Sequence, residues 1–276
     1  MINREDLNSF STYLLAKEAQ ERGIKVEKIF PESKSSRLKL ELNGETCLIF
    51  GQTISKLTVS AYRICDNKEI TRKFLKDANI KTTEGKEFTS KKIKEAVDFA
   101  QEAGFPVVVK PSKGTWGKNV FLDIRSVEEI EKAIKAVTED QKSFLVEKQF
   151  EGDEYRILAT KDKLLGVINR VPANVVGDGE KSIEELIEVK NQDPRRGEGH
   201  TKSLVKIQLD DDLKNNLKEQ DLDLKSVIEK DRQVFLRKMS NLSQGGDSID
   251  ITDEVHPKIK ELAPKIIQAV PGLPYA

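Results

Sequence analysis

The sequence predicts an α+β protein of about two compact units, with a small α/β unit at its start. Three observations predict it. The chain has 276 residues, which is enough for about two domains at roughly 150 residues each. Segments with apolar residues at helical spacing are interspersed with short runs of β-forming residues. The pair Asn43-Gly44 separates two of these runs, and Asn-Gly in that setting is typical of a β-hairpin.

The N-terminal unit begins with a helix expected over residues 8–22. Phe10 and Tyr13 lie on one face of this helix, and Gly23 follows where helices commonly end. Short strands are then expected over residues 25–30, 37–42 and 46–50. We take residues 1–65 as this N-terminal α/β subdomain, and nothing in it resembles a catalytic motif.

The middle of the chain predicts further helices and strands. Ser126 and Glu129 have the spacing of a capping box, which predicts that a helix starts there and runs to residue 137. Gly104 is expected to stop an earlier helix. The other elements expected here are helices over residues 68–78 and 89–103 and strands over residues 107–111, 120–124, 144–147, 155–159 and 164–171.

Further helices are expected in the last third of the chain. Ser182 and Glu185 repeat the capping-box signature, so a helix should run from there to about residue 190. Residues 206–232 are dense in charge and helical in pattern, and we expect them to form an inserted arm. His256 precedes Pro257 at an expected helix start, where a structural role is favoured.

The composition excludes several classes of protein. The 47 Lys and Arg residues equal the 47 Asp and Glu residues, and a dedicated nucleic-acid binder normally has a basic excess. No apolar run approaches the roughly 18 to 20 residues of a membrane span, and no signal-peptide pattern is present. Cys47 and Cys65 are expected to be structural thiols in a reducing compartment. We therefore expect a cytoplasmic protein without a nucleic-acid or membrane partner.

Lys110 ends a buried strand and precedes a glycine-rich loop. A lysine in this position needs an anion, and the loop offers backbone amides and two more ammonium groups, as a polyphosphate site would. The loop lacks the Walker A and GxGxxG patterns, and it joins two strands, so it would lie over phosphates as a flap. A solvated glycine-rich turn is the alternative. The residues concerned are Ser112, Lys113, Gly114, Thr115, Trp116, Gly117, Lys118 and Asn119.

Two glutamates, Glu147 and Glu154, flank a linker between strands. The linker backbone at Lys148, Gln149 and Phe150 could face the edge of an adenine, and a carboxylate could accept hydrogen bonds from ribose hydroxyls. Ordinary surface acids are the alternative for both glutamates.

Arginine-containing loops form the remaining motifs. Three arginines and a histidine could bind carboxylates, because guanidinium groups grip carboxylates in a bidentate way, but they could also belong to charged surface loops. A later loop offers Arg237 together with hydroxyl and amide groups for an oxyanion. These residues are Arg170, Arg195, Arg196 and His200 in the first group, and Arg237, Asn241, Ser243, Gly245 and Gly246 in the second.

In this order, the motifs resemble those of ATP-grasp ligases, and more narrowly the ATP-grasp domain of cyanophycin synthetases and bifunctional glutathione synthetases. The resemblance runs from about Asp66 to the last residue, whereas the first 60 residues match in general character alone. The motifs are DNKEIT at 66–71, VVVKP at 107–111, the Glu147 to Glu154 linker, RVPANVVGDG at 170–179, DPRRGEGH at 193–200 and NLSQGGDSIDITDEVHP at 241–257.

The resemblance implies two α+β lobes that clasp ATP, with residues 66–145 as the small lobe and residues 146–276 as a C-terminally incomplete large lobe. It implies a carboxylate-amine ligase that works through an acyl-phosphate. Lys68, Lys110 and the flap would bind the phosphates, Glu147 and the linker backbone would face adenine, and Glu154 would face ribose. The substrate would lie near Arg156, Arg170, Arg196, His200, Gly245 and Gly246, and the acyl-phosphate near Arg237, Asn241 and Ser243.

The resemblance also implies Mg²⁺, whose ligands in this family lie on strands beyond the segment that matches residues 271–273. They would thus lie beyond Ala276, so we expect none within the chain. Asp247, Asp250 and Asp253 could substitute for them, or could cap and solvate a turn. The substrate is left open as an amino acid or a γ-glutamyl peptide, and a homo-oligomer remains open too. A non-catalytic or inactive, shortened ATP-binding module is the alternative function.

Overall fold

Helices occur throughout the computed structural model, which describes residues 2–51, 53–113, 119–199 and 201–276. Apolar residues at helical spacing and polar N-caps explain most of them. Ser9, Thr58, Asn67, Ser126 and Ser182 each accept a hydrogen bond from the first turn that follows. The helices are α1 (Phe10–Glu21), α2 (Val59–Asp66), α3 (Lys68–Asp77), α4 (Ile93–Ala103), α5 (Val127–Asp140), α6 (Ile183–Asn191), α7 (Asp211–Lys218) and α8 (Pro257–Gln268).

Strands alternate with these helices and form several small sheets. They are β1 (Lys25–Lys28), β2 (Arg37–Leu42), β3 (Glu45–Phe50), β4 (Thr53–Ile54), β5 (Gly85–Thr89), β6 (Val107–Pro111), β7 (Phe121–Ile124), β8 (Ser143–Lys148), β9 (Glu154–Ala159), β10 (Leu164–Val171), β11 (Asn174–Val176), β12 (Arg196–Gly197), β13 (Leu204–Val205), β14 (Gln233–Phe235) and β15 (Asp247–Asp250). The larger sheets have the strand orders β1-β2-β3-β4, β5-β8-β6-β7 and β15-β10-β9, and the pairs β11-β14 and β12-β13 complete the set.

The chain divides into two compact units. The first comprises Met1–Leu57, Asp153–Arg156 and Gly166–Glu254, and the second comprises Thr58–Gly152, Ile157–Leu165 and Val255–Ala276. This grouping interleaves segments that are distant in sequence. The division at residues 65 and 145 that the sequence suggested stays a prediction.

In the second unit, α4 and α5 cover the sheet β5-β8-β6-β7. The three valines before Lys110 place Val107 and Val109 in the core, where they pack with Ile130, Ile134 and Phe144. This packing fixes the end of β6, and with it the starting point of the glycine-rich loop. In the first unit, a separate core gathers α6, α7, β11 and β14 around Ile187, Leu213, Leu217, Val234 and Leu236.

The N-terminal hairpin is confirmed. Leu42 pairs with Glu45 across the turn, and Asn43 and Gly44 have φ angles of 50° and 81°. Two positive φ angles in a two-residue turn match the right-handed twist of the flanking strands.

Two expectations about elements need correction, and one element was missed. Residues 206–232 do not form a helical arm, because only Asp211–Lys218 is helical and the segment buries Leu213, Leu217 and Ile228 in the core of the first unit. The helix expected from Thr89 begins at Ile93, since residues 85–89 pair with β8 as a strand. Helix α2 was not expected at all. In the described parts of the chain, no helix is both long and apolar enough to cross a membrane.

Candidate functional site

Lys68 stands at the first position of α3, which places its ammonium group at the start of a helix. Asn67 caps this helix, its Oδ1 accepting from the backbone amides of Glu69 and Ile70 at 3.0 Å each. Burial lowers the pKa of the Lys68 ammonium, and the nearby charge of Lys110 lowers it further, while Glu147 and Asp66 partly offset both effects. Two ammonium groups held close together favour an anionic ligand between them.

Glu147 connects these lysines to a buried arginine. The Glu147 carboxylate is 5% exposed, and its Oε2 accepts from the Lys110 ammonium while its Oε1 accepts from the Arg72 guanidinium. Arg72 is also 5% exposed, and it donates to Glu69 as well. The described residues thus include a cluster of three cations and two carboxylates, formed by α3, β6 and β8.

Arg72 is the cationic member of this cluster that sequence reasoning missed. Its signal in the sequence is its spacing, because Arg72 follows Lys68 by four residues and so lies on the same face of α3. Gly85 is a second missed contributor. It pairs directly with Glu147 across β5 and β8, and a Cβ atom there would lie 2.5 Å from Glu147 Cγ. The absence of a side chain at Gly85 leaves room for the glutamate.

The start of the glycine-rich loop contributes a buried hydroxyl group. Ser112 is 1% exposed, and its Oγ has no hydrogen-bond partner among the described residues. Lys113 is exposed, and its carbonyl accepts from Gln141 Nε2 at 3.0 Å. The predicted flap residues Gly114, Thr115, Trp116, Gly117 and Lys118 lie outside the described residues, as does His200.

The linker after Glu147 is held on one side by structural hydrogen bonds. The Lys148 amide donates to the Glu84 carbonyl at 2.8 Å, and the Gln149 amide donates to the Pro106 carbonyl at 3.1 Å. Lys148 Nζ donates to the Gly104 carbonyl at 2.5 Å. The backbone amide of Phe150 has no acceptor among the described residues, and its side chain is 67% exposed. Of the three linker amides, that of Phe150 is available to a ligand.

In the first unit, Glu154 and Arg170 form a second polar cluster. Arg170 Nη1 donates to Glu154 Oε1 at 2.7 Å, and Arg170 Nη2 donates to Asn241 Oδ1 at 3.2 Å. Ser240 Oγ donates to Glu154 Oε2. Burial lowers the pKa of Arg170, Glu154 opposes that shift, and exposed Arg156 adds to it. In the described part of the chain, Arg170 Nε and Asn241 Nδ2 are buried without a partner.

Arg237 comes shortly before Ser240 and Asn241 of this cluster in the sequence. Its guanidinium is buried, and its positive charge is only partly neutralised. Its Nη2 donates to Asp210 Oδ2 at 2.6 Å and to the Gln208 carbonyl at 3.3 Å. Its Nε and Nη1 are buried, with no acceptor in the described residues. Burial raises the pKa of Asp210, but hydrogen bonds from Arg237 and the Leu213 amide outweigh it and leave the pKa lowered. An unpaired face of a buried guanidinium suits an anionic ligand.

Arg196 was expected to face the substrate, and the structure uses it as an internal support. Its Nη1 donates to the carbonyls of Val205 and Gly245 at 2.6 and 3.0 Å, and its Nη2 donates to Asp247. Lys190 Nζ also donates to Asp247, at 2.6 Å. Arg196 therefore holds the glycine loop to β15, with its Nε alone unpaired among the described residues.

The glycine loop does not present all the amides that the sequence suggested for an oxyanion. The Gly245 amide donates to the Leu242 carbonyl, and the Gln244 and Gly246 amides donate to the Asn241 carbonyl. Gly245 has a φ angle of 91°, and a Cβ atom there would lie 2.6 Å from Ile207 Cγ1. The turn therefore requires a glycine at this position. Ser243 is exposed on the 3₁₀ turn that precedes it.

Among the described residues, no three His, Cys, Asp or Glu side chains gather as the ligands of one metal ion would. The carboxylate of Asp247 is already bound by Arg196, Lys190 and Asn174. Asp250 accepts from Thr252, so the aspartates suggested as substitutes are engaged in local structure, apart from exposed Asp253.

Comparisons with known proteins indicate the family of the chain. A family model described as phosphoribosylglycinamide synthetase, ATP-grasp (A) domain, matches residues 66–170. The glutathione biosynthesis bifunctional protein GshAB of Clostridium perfringens is 35% identical over 281 residues, which cover 99% of this chain and 35% of that protein. A cyanophycin synthetase of Trichormus variabilis is 35% identical over 263 residues, covering 94% of this chain and 28% of that protein.

A solved structure supports the fold independently. The bifunctional glutathione synthetase from Pasteurella multocida matches with a TM-score of 0.69 and 35% identity, over 98% of this chain and 36% of that one. The chain belongs to the ATP-grasp family, and the predicted α+β fold is confirmed. Within the family it is similar to bifunctional glutathione synthetases and cyanophycin synthetases, and it spans about a third of the length of these relatives.

Proposed function

We propose that the chain provides the ATP-binding part of an ATP-dependent carboxylate-amine ligase that acts on an amino acid or a γ-glutamyl peptide. The observation that carries this proposal is the cation cluster of Lys68 and Lys110, which lies inside the segment matched by the ATP-grasp model. The charge of Lys110 is near enough to lower the pKa of the Lys68 ammonium, and a polyphosphate would relieve this repulsion.

The nucleotide would be bound by polar groups of the predicted site residues. Lys68, Lys110 and the Ser112 hydroxyl would contact phosphate oxygens, and the Phe150 amide would donate to a ring nitrogen of adenine. Glu154 would accept from ribose hydroxyls. Its carboxylate already accepts from Arg170 and Ser240, and an ionised carboxylate has about four acceptor positions, so two remain.

The reaction would transfer a phosphoryl group and then an acyl group. A substrate carboxylate oxygen attacks the γ-phosphorus of ATP, and the bond to the ADP oxygen breaks. The amine of the second substrate then attacks the acyl carbon, phosphate leaves, and the amine loses a proton. The unpaired nitrogens of Arg237 and the Asn241 amide would stabilise the charge that develops on the acyl-phosphate.

The amino-acid substrate would lie near Arg156, Arg170, Gly245, Gly246 and His200, with Arg196 acting through the loop that it supports. Mg²⁺, which neutralises phosphate oxygens in such reactions, is assigned no residue and no step.

The test is ATP binding and substrate-dependent phosphate release. The wild-type chain is titrated with ATP by calorimetry and then assayed with amino acids and γ-glutamyl dipeptides as paired substrates.

Replacing Lys110 with Met should weaken ATP binding about tenfold or more, because a charge-assisted contact to phosphate is lost. Lys94→Met is the matched control, since Lys94 is exposed on α4. Equal affinities in the two variants would overturn the phosphate site. ATP binding without turnover under any substrate pair would favour the alternative function, a non-catalytic ATP-binding module.

A further inference from the structure

Arg72 is one of the most buried charged side chains among the described residues, and the proposed contacts to ATP do not use it. It is 5% exposed, and its guanidinium lies on Glu147 and Glu69. Glu147 in turn lies on Lys110. A buried carboxylate with two cationic partners leaves more positive charge for a ligand than a carboxylate with one.

The charges of the cluster make this quantitative. Lys68, Arg72 and Lys110 carry three positive charges, and Glu69 and Glu147 carry two negative charges. The cluster therefore has one net positive charge with Arg72 and none without it.

We propose that Arg72 is a positioning residue of the nucleotide site, which neutralises Glu147 so that Lys68 and Lys110 direct their positive charge to the phosphates of ATP. This inference rests on the proposed function, because it assigns a role within the same site. Without Arg72, Glu147 would draw both lysines toward itself and lower their attraction for phosphate.

The first test compares ATP affinities of the full chain. Arg72→Met should weaken ATP binding about tenfold, the size of one well-placed charge. Arg72→Lys keeps the charge and should stay within about threefold of wild type. Lys73→Met is the matched control, because Lys73 is exposed on the same helix and pairs with Asp77. It should change the affinity by about twofold or less.

Rescue by a conservative variant separates this role from a merely structural one. The charged groups facing Glu147 are Arg72 and Lys68 from α3 and Lys110 from β6, with Glu69 beyond Arg72, while β5 presents uncharged Gly85. Arg72→Met removes one of these cations from Glu147, whereas Arg72→Lys keeps it. If Arg72 acts by neutralising Glu147, Arg72→Lys should restore most of the ATP affinity that Arg72→Met loses.

A double-mutant cycle keeps the proposal falsifiable even if Arg72→Met folds poorly. If Arg72 acts through Glu147, then Arg72→Gln should weaken ATP binding in the wild-type background and have little effect in a Glu147→Gln background. Equal losses in both backgrounds, or equal losses in Arg72→Met and Arg72→Lys, would overturn the positioning role. Failure of the wild-type chain to bind ATP would instead overturn the proposed function.

Discussion

At the residue scale, two effects oppose the positive charge of Lys68. Burial and the charge of Lys110 both lower its pKa from 10.5. A bound phosphate would favour the charged form and raise the pKa again. Binding of ATP therefore takes up protons wherever Lys68 is partly neutral in the free protein, so the affinity must fall as the pH rises through the lowered pKa of Lys68.

The expected outcome is a loss of ATP affinity that begins below pH 10.5 in the wild-type chain. A guanidinium stays charged throughout this range, so Lys68→Arg should lose less affinity over the same interval. Calorimetric titrations from about pH 7.5 to about pH 10 measure both profiles. Parallel profiles for the two proteins would contradict the assignment of the transition to Lys68.

At the element scale, helix α6 has a complete capping box. Ser182 Oγ accepts from the Glu185 amide, and Glu185 Oε2 accepts from the Ser182 amide at 2.8 Å. Ser182→Ala should lower the free energy of unfolding by about 1 kcal/mol, because the helix loses its N-cap. Urea unfolding measures the change. Ser90→Ala, at an exposed turn whose side chain makes no hydrogen bond with described residues, should change it by less than about 0.5 kcal/mol. Equal effects would contradict the role of the cap.

Elements with local signals were predictable from the sequence. The capping box at Ser182 is complete, whereas at Ser126 the partner Glu129 reaches the Arg125 amide instead of the cap itself. The prediction of a helical arm over residues 206–232 was wrong. Its dense charges lie outside, while Leu213 and Ile228 fill the core. Turns at Asp221 and Asp231, both with positive φ, break the helix. Packing against segments that are distant in sequence determines these structures, and no local sequence pattern encodes that packing.

The candidate site was likewise predictable where its residues belong to local sequence motifs. Lys68, Lys110 and Glu147 stand next to recognisable motifs, and the structure brings their charges together. Arg72 has a single local cue, its spacing from Lys68, and its contact with Glu147 joins residues 75 positions apart. The internal bonding of the Gly245 turn likewise depends on backbone geometry that residue types do not show.

At the scale of the whole molecule, the overall charge balance is accompanied by local pairing of opposite charges. The sequence has 47 basic and 47 acidic residues, and five of the predicted ligand-facing cations have carboxylate partners among the described residues. These pairs are Lys110 with Glu147, Arg170 with Glu154, Arg195 with Asp193, Arg196 with Asp247 and Arg237 with Asp210. The carboxylates hold the cations in place, so affinity for an anion depends on the donor positions that each pair leaves open, as at Arg237.

The two large cores share no residue, which leads to a prediction about how the molecule loses structure. The core of the second unit contains Ile134, and the core of the first unit contains Leu217, both with no exposed surface. Ile134→Ala and Leu217→Ala should each cost about 2–5 kcal/mol, the usual range for such cavities. We expect each loss to appear mainly in the unit that holds the cavity, because cooperative opening follows contiguous packing. Native-state hydrogen exchange should show faster exchange of β6 and β8 in Ile134→Ala, and of α6 and β11 in Leu217→Ala. A uniform increase along the chain in both variants would contradict this and show that the two cores unfold as one.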